Sequence, residues 1–136
     1  MNSHNVHLIP VRSLALMMSL HACARVASAP TDVGDQQVVL AAGESATVAV
    51  STVRVVALQD SRCPSDVVCI TAGDVVMVLA FSGAGGARTD TLRLVATPKT
   101  STYGGLLFEP TTVIPYPDTR ATGTTKTVTL HVSTAR

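Results

Sequence analysis

The chain has 136 residues, 46% of them hydrophobic but only 3% aromatic, with no tryptophan and a formal net charge of +1. That length fits one domain once a short leader is subtracted. The near-neutral balance gives no attraction to nucleic acid or to an anionic membrane surface, and no run of 18 or more apolar residues is present to cross a bilayer as a helix.

The N-terminus reads as an export address. Residues 1–12, MNSHNVHLIPVR, end in Arg12 and are followed by the short apolar run SLALMMSL at 13–20 and then by small residues. Positive charge, apolar stretch and small-residue site, in that order, form a secretory signal. Leu20-His21-Ala22-Cys23 resembles a bacterial lipobox, which makes residues 1–22 a lipoprotein-type signal peptide and Cys23 an acylated first mature residue. Cysteine arithmetic agrees, because Cys63 and Cys69 can pair and leave Cys23 over. In a Gram-negative host, Ala24 in place of Asp implies outer-membrane sorting facing the periplasm. His21 stands where that motif usually has a small residue, so ordinary secretion or periplasmic release, with cleavage after Ala24 or Ala29, is the alternative. An ordinary first helix over Leu14–Leu20 has no N-cap in HLIPVR and is set aside.

Residues 23–37 are small, polar and punctuated by Pro30 and Gly34, which suits a flexible tether. From residue 38 to 136 the periodicity is that of strands. In SATVAVS (45–51), Ala46, Val48 and Val50 alternate with polar or small residues. VRVVALQD (53–60) follows, and Val75–Phe81 is apolar on both faces, as in a central strand. TLRLV (91–95) sets Leu92 and Leu94 against Thr91 and Arg93, and TKTVTLHV (125–132) sets Val128, Leu130 and Val132 against Thr127, Thr129 and His131. Turn signals lie at 41–44, 82–90, 101–105, 115–118 and 121–124. The expected fold is all-β, a small antiparallel sandwich or barrel with one disulfide-closed loop.

That loop is DSRCPSDVVC, residues 60–69. A Cys63–Cys69 bridge closes a tight ring where one strand hands over to the next, worth about 2.4 kcal/mol by chain entropy. Pro64 restricts Cys63 to extended conformations. A metal site is the rival reading. It has only a Cys-x5-Cys pair, no second pair, and His131 as the one histidine outside the leader. No metal and no cofactor are expected.

Asp60-Ser61-Arg62-Cys63-Pro64, then Cys69, then Ala72-Gly73 opening a strand, and finally Pro115-Tyr116-Pro117, resemble a family of small bacterial exported proteins. These proteins are often lipoproteins with no assigned activity, reading D-S-R-C-P, C-x-W-A-G and a late P-Y-P. The likeness covers about residues 38–117, and the cysteine loop is its most specific part. It implies a β-rich fold and a cell-envelope location. Thr71 occupies the position where the family usually has Trp, so no indole-dependent role carries over.

The remaining candidates are Asp60, Arg62 and Tyr116. Asp60 and Arg62 either form a binding spot or organise the loop, Asp60 by accepting backbone N–H groups and Arg62 by pairing with a carboxylate. Tyr116, between two prolines, is either a fixed contact residue or a plug at a strand end. GAGG (83–86) lacks both the P-loop ending and a dinucleotide fingerprint. His131 lies on a Thr-lined polar face, and no nucleophile motif or paired carboxylates appear, so no catalytic residue is assigned. The function expected is a non-enzymatic, membrane-anchored binding or interaction module. A secreted disulfide-stabilised inhibitor of a hydrolase is the alternative, and a periplasmic metal-handling protein a weaker one.

Overall fold

The computed structural model describes residues 33–136. The signal peptide, Cys23 and most of the predicted tether lie outside the described residues. Eight strands follow: β1 (Gln36–Ala41), β2 (Ser45–Val48), β3 (Ser51–Asp60), β4 (Val75–Gly83), β5 (Gly86–Arg93), β6 (Ser101–Tyr103), β7 (Leu106–Ile114) and β8 (Thr127–Thr134). They form two antiparallel four-stranded sheets, ordered β1-β8-β7-β6 and β2-β3-β4-β5. The all-β sandwich is the architecture expected from the alternation, and β4 is the inner strand that its two apolar faces indicate.

Period-two side-chain placement builds the core. Val75, Met77, Leu79 and Phe81 of β4 face Val128, Leu130 and Val132 of β8 and Phe108 of β7, all of them buried in one cluster. Phe81 joins the two sheets, with its ring 5.0 Å from Phe108 and 5.3 Å from Tyr103. Contacts of this kind contribute roughly 0.5–1.5 kcal/mol each beyond area burial. The Tyr103 hydroxyl donates to the Gly86 carbonyl, so its polar end is satisfied. Arg88 of β5 donates to Thr102 O and Ser101 Oγ of β6, tying the two edge strands across one side of the sandwich.

Four local readings change. SATVAVS is not one strand: Ala49 and Val50 form a two-residue turn between β2 and β3, with Val48 opposite Ser51. Ala49 takes a φ of 53°, a conformation such turns usually assign to Gly or Asn, and Val50 is exposed rather than inward. The segment 82–90 is mostly strand, since Gly83 pairs with Gly86 and β5 begins there. The segment 101–105 contributes β6 before its Gly104-Gly105 turn. β1 and β7 were unexpected strands, and β1 takes up Gln36 and Gln37 from the predicted tether. β7 tolerates Pro110 because the ladder to β8 slips by one residue between Pro110 and Thr112, and a bulge removes the demand for an N–H.

The two ends of the sandwich differ. At one end, Val33 shares a shallow depression with Ala49, Val50, Gly104, Gly105, Leu106 and Thr134, so the described chain enters there. The cysteine loop leaves β3 and enters β4 at the other end, about 25 Å away by the rise of an eight-residue strand.

Candidate functional site

The cysteine loop continues the β3–β4 ladder beyond the strands. Ser61 N–H donates to Asp74 O at 2.8 Å and Cys63 N–H donates to Ala72 O at 2.9 Å. Cys63 and Cys69 are bridged, with Cα atoms 5.8 Å apart. The disulfide therefore closes a ring at the tip of this extension, beyond the last ladder bond from Cys63 to Ala72.

Asp60, the last residue of β3, lies beside this ring with its side chain only 1% exposed. Its Oδ1 accepts the Arg62 backbone N–H at 3.1 Å and Arg62 Nε at 2.8 Å, and Oδ2 accepts Arg62 Nη2 at 2.7 Å. The pair is thus a two-pronged fork with a backbone bond added, a strong charge-assisted arrangement. Lys126, just before β8, brings Nζ to 2.9 Å from Asp60 Oδ2 and also donates to Pro115 O at 3.2 Å. Burial by itself would raise the Asp60 pKa, but the hydrogen bonds from Arg62 and Lys126 outweigh it and hold the carboxyl at about 2. Both structural roles weighed in the sequence for Asp60 and Arg62 are present in this one contact.

Arg62 reaches further. Its Nη2 donates to Val113 O at 3.0 Å, 51 positions along the chain, and its guanidinium lies 4.4 Å from the centre of the Tyr116 ring. Tyr116 is 51% exposed. It does not fill a strand end but lies on the surface with the Arg62 cation against one face, an attractive placement for both. The 115–120 segment also carries the loop. Ser65 N–H donates to Pro117 O at 2.9 Å, and Asp66 accepts the N–H of Thr119 at 3.0 Å as well as its hydroxyl. Asp118 and Arg120 pair beside them at 3.0 Å.

Asp60-Ser61-Arg62-Cys63-Pro64 and Pro115-Tyr116-Pro117, remote in sequence, therefore meet at one end of the sandwich. Asp74 belongs to the same assembly, although sequence reasoning did not single it out. Its carboxylate accepts the N–H groups of Val75 at 2.7 Å, Val95 at 2.8 Å and Ala96 at 3.1 Å, plus Arg93 Nε at 3.1 Å. Burial opposes its ionisation, yet these bonds prevail and its pKa is lowered. An Asp after Gly73 at a strand start is a turn-organising signal that could have located it.

His131 lies apart from this end, paired across β8 with Glu109 and Gln37, its Nε2 3.7 Å from Asp35 Oδ1. Among the described residues no group of three or more His, Cys, Asp or Glu is placed to hold a metal ion. No family model, curated protein or solved structure matches the chain.

Two expected results follow from the geometry of this end. Replacing Cys63 and Cys69 together with Ser should lower stability by on the order of 2 kcal/mol while the β-type circular dichroism spectrum persists. Free thiols on the oxidised protein, or an undiminished melting temperature, would contradict it. The second result concerns pH. A carboxyl whose folded pKa is depressed from 3.8 to about 2 stabilises the fold fully above pH 4 and loses that contribution as pH falls through 2. Asp60 thus contributes about 2 kcal/mol at neutral pH, by the energy equivalent of the shift. Urea melts between pH 5 and pH 2 should show a steeper acid loss for the wild type than for Asp60→Asn; parallel profiles would remove Asp60 as the cause.

Proposed function

We infer that the protein is a non-enzymatic interaction module of the bacterial cell envelope, lipid-anchored through Cys23 and related to the exported family that its D-S-R-C-P and P-Y-P motifs resemble. One observation carries this reading: the motif residues of two remote segments are used to fix a single surface loop rather than to line a cleft. In the Asp60–Arg62–Lys126 cluster one ionised carboxylate is gripped by two cations, which suits support of a surface and not proton transfer. The place where the described chain begins adds to it. Val33, where the described residues begin, lies at the end opposite the loop, so an anchor preceding it would not join the fold at the loop.

Fractionation of cells producing the wild type and Cys23→Ser tests the anchoring. The wild type should partition into detergent with the membranes and incorporate labelled lipid, and Cys23→Ser should do neither. A wild-type protein found wholly in the soluble fraction would overturn the lipoprotein reading. It would favour the secreted hydrolase inhibitor, which the closed ring with outward aliphatic side chains supports, because such a ring can enter a cleft with little loss of freedom.

A further inference from the structure

The two sheets leave four edge strands, and three of them are guarded. β2 and β6 are short, with four and three residues. β5 is crossed by Arg88, which donates to Thr102 O and Ser101 Oγ of β6, and its Arg93 N–H is taken by Pro98 O at 2.8 Å. β1 has no such protection: Gln36–Ala41 contains no charged residue, no proline and no slip in its register with β8. Charges, prolines, bulges and shortness are the usual means by which a sheet edge is kept from pairing. The alternation of the ladders fixes which backbone groups of β1 point outward. Ala135 N–H donates to Gly105 O, so the odd-numbered residues of β8 bond to β7, and Val128, Leu130 and Val132 bond to Leu40, Val38 and Gln36. Gln37, Val39 and Ala41 therefore turn their N–H and C=O groups away from β8. Glu44 occupies those of Ala41, its N–H donating to Ala41 O at 3.0 Å and its Oε2 accepting Ala41 N–H at 2.8 Å. Among the described residues nothing pairs with the outward groups of Gln37 and Val39.

We propose that β1 is the interface of a symmetric homodimer, in which the β1 edges of two copies pair antiparallel about a two-fold axis at Gln37 and join two four-stranded sheets into one. A row of unpaired N–H and C=O groups at strand spacing is satisfied by another extended backbone. A second copy is the backbone that fits, because the edge is its own complement. About Gln37 the axis sets Gln37 against its counterpart and Val39 against Asp35 of the other copy, so the outward groups of both residues are matched in both chains. Val33 of the other copy then falls opposite Ala41, where Glu44 closes the edge. A two-fold at Val38 would instead set Asp35 against Ala41, whose N–H is already bound, and bring the Asp35 and Glu44 carboxylates together. A foreign strand finds little to select it here, since the outward side chains of Gln37 and Val39 are uncharged and exposed. The proposal adds a self-association surface to the interaction-module reading and does not depend on anchoring through Cys23.

Cysteine crosslinking of the full chain in intact cells tests this. Residues facing each other in a hydrogen-bonded antiparallel pair lie about 5.5 Å apart, within the span of a disulfide. On mild oxidation Gln37→Cys should give an adduct of twice the chain mass, while Thr91→Cys on the β5 edge should give less than about a tenth of that yield. The unchanged chain, which retains Cys23, sets the background. Val39→Pro added to Gln37→Cys should reduce the adduct roughly tenfold and leave the β-type circular dichroism spectrum in place, because the N–H it removes points away from β8. Gln37→Lys sets two like charges face to face across the axis. It should turn a dimeric wild type into a folded monomer on sedimentation of the purified full chain, in detergent where the chain is acylated. No adduct from Gln37→Cys, as when residues 24–32 cover the edge themselves, would overturn the proposal. Equal yields from positions 37 and 91, an adduct with a different protein, or a dimer that survives Gln37→Lys would do the same. The outcome is separable from that of the anchoring test, since the adduct is expected whether or not Cys23 is acylated.

Discussion

Gly73→Ala is expected to be the most damaging single-methyl change in the protein, lowering stability by about 4 kcal/mol or more and in the simplest outcome preventing folding. Gly73 has a φ of +70°, and a Cβ built on it would lie 1.8 Å from the Ser61 carbonyl oxygen. That oxygen is backbone, held by the loop pairing of Ser61 and Cys63 with Asp74 and Ala72, so no side-chain rotation relieves the contact. Either the β3–β4 ladder opens at its end or the cysteine ring moves off the 115–120 segment. Gly43→Ala is the matched control: its φ is +88°, but nothing lies within 4 Å of the added atom. It should cost only the left-handed backbone conformation, about 1 kcal/mol. Chemical denaturation of the two variants checks the difference, and equal losses would show that conformation rather than contact governs both sites.

The second large effect is expected at Asp60. Asp60→Ala leaves Arg62, with 9% of its side chain exposed, without the carboxylate that its fork grips. Breaking a buried pair from one side costs on the order of 3 kcal/mol, because the remaining charge is still desolvated. Arg62→Ala should be less harmful, because Lys126 remains 2.9 Å from Asp60 Oδ2, and should also remove the cation from Tyr116. The double variant is expected to lose much less than the sum, as residues in direct contact are not additive. A double-mutant cycle by urea unfolding provides the measurement; strict additivity would mean that the pair does not act as a unit.

The legibility of this chain divides by range. β4 was visible because Val75–Phe81 is a short run apolar on both faces, and β8 because Val128–Val132 keeps an unbroken period of two; the core uses the inward positions of each. β7 was hidden by Pro110 and two threonines, which in isolation signal a break, while in the sheet they lie at a bulge. The Ala49-Val50 turn carries no Gly, Pro or Asn, and so the alternation ran through it unmarked. At the candidate site, Asp60, Arg62 and the disulfide were legible from DSRCPSDVVC alone, since their contacts span a few residues. Lys126, Val113 and the seat on Pro117 and Thr119 were not, because they depend on β3 and β7 ending at the same edge of the sandwich. Tyr116 was identified as a candidate, but only the placement of Arg62 decides that its ring lies outside.

The positions of the two ends have a mechanical consequence. β1 enters beside Val33 and pairs with β8 through six positions, from Gln36 opposite Val132 to Ala41 opposite Thr127. Were the molecule held by its N-terminal segment and loaded at its cysteine loop, the pull would run along the strands, not across them. The hydrogen bonds of an antiparallel pair lie perpendicular to that direction, so the load is shared by the whole β1–β8 seam in shear instead of unzipping it bond by bond. In a chain held by its N-terminal segment and loaded at its cysteine loop, the six-position β1–β8 seam would lie along the line of tension.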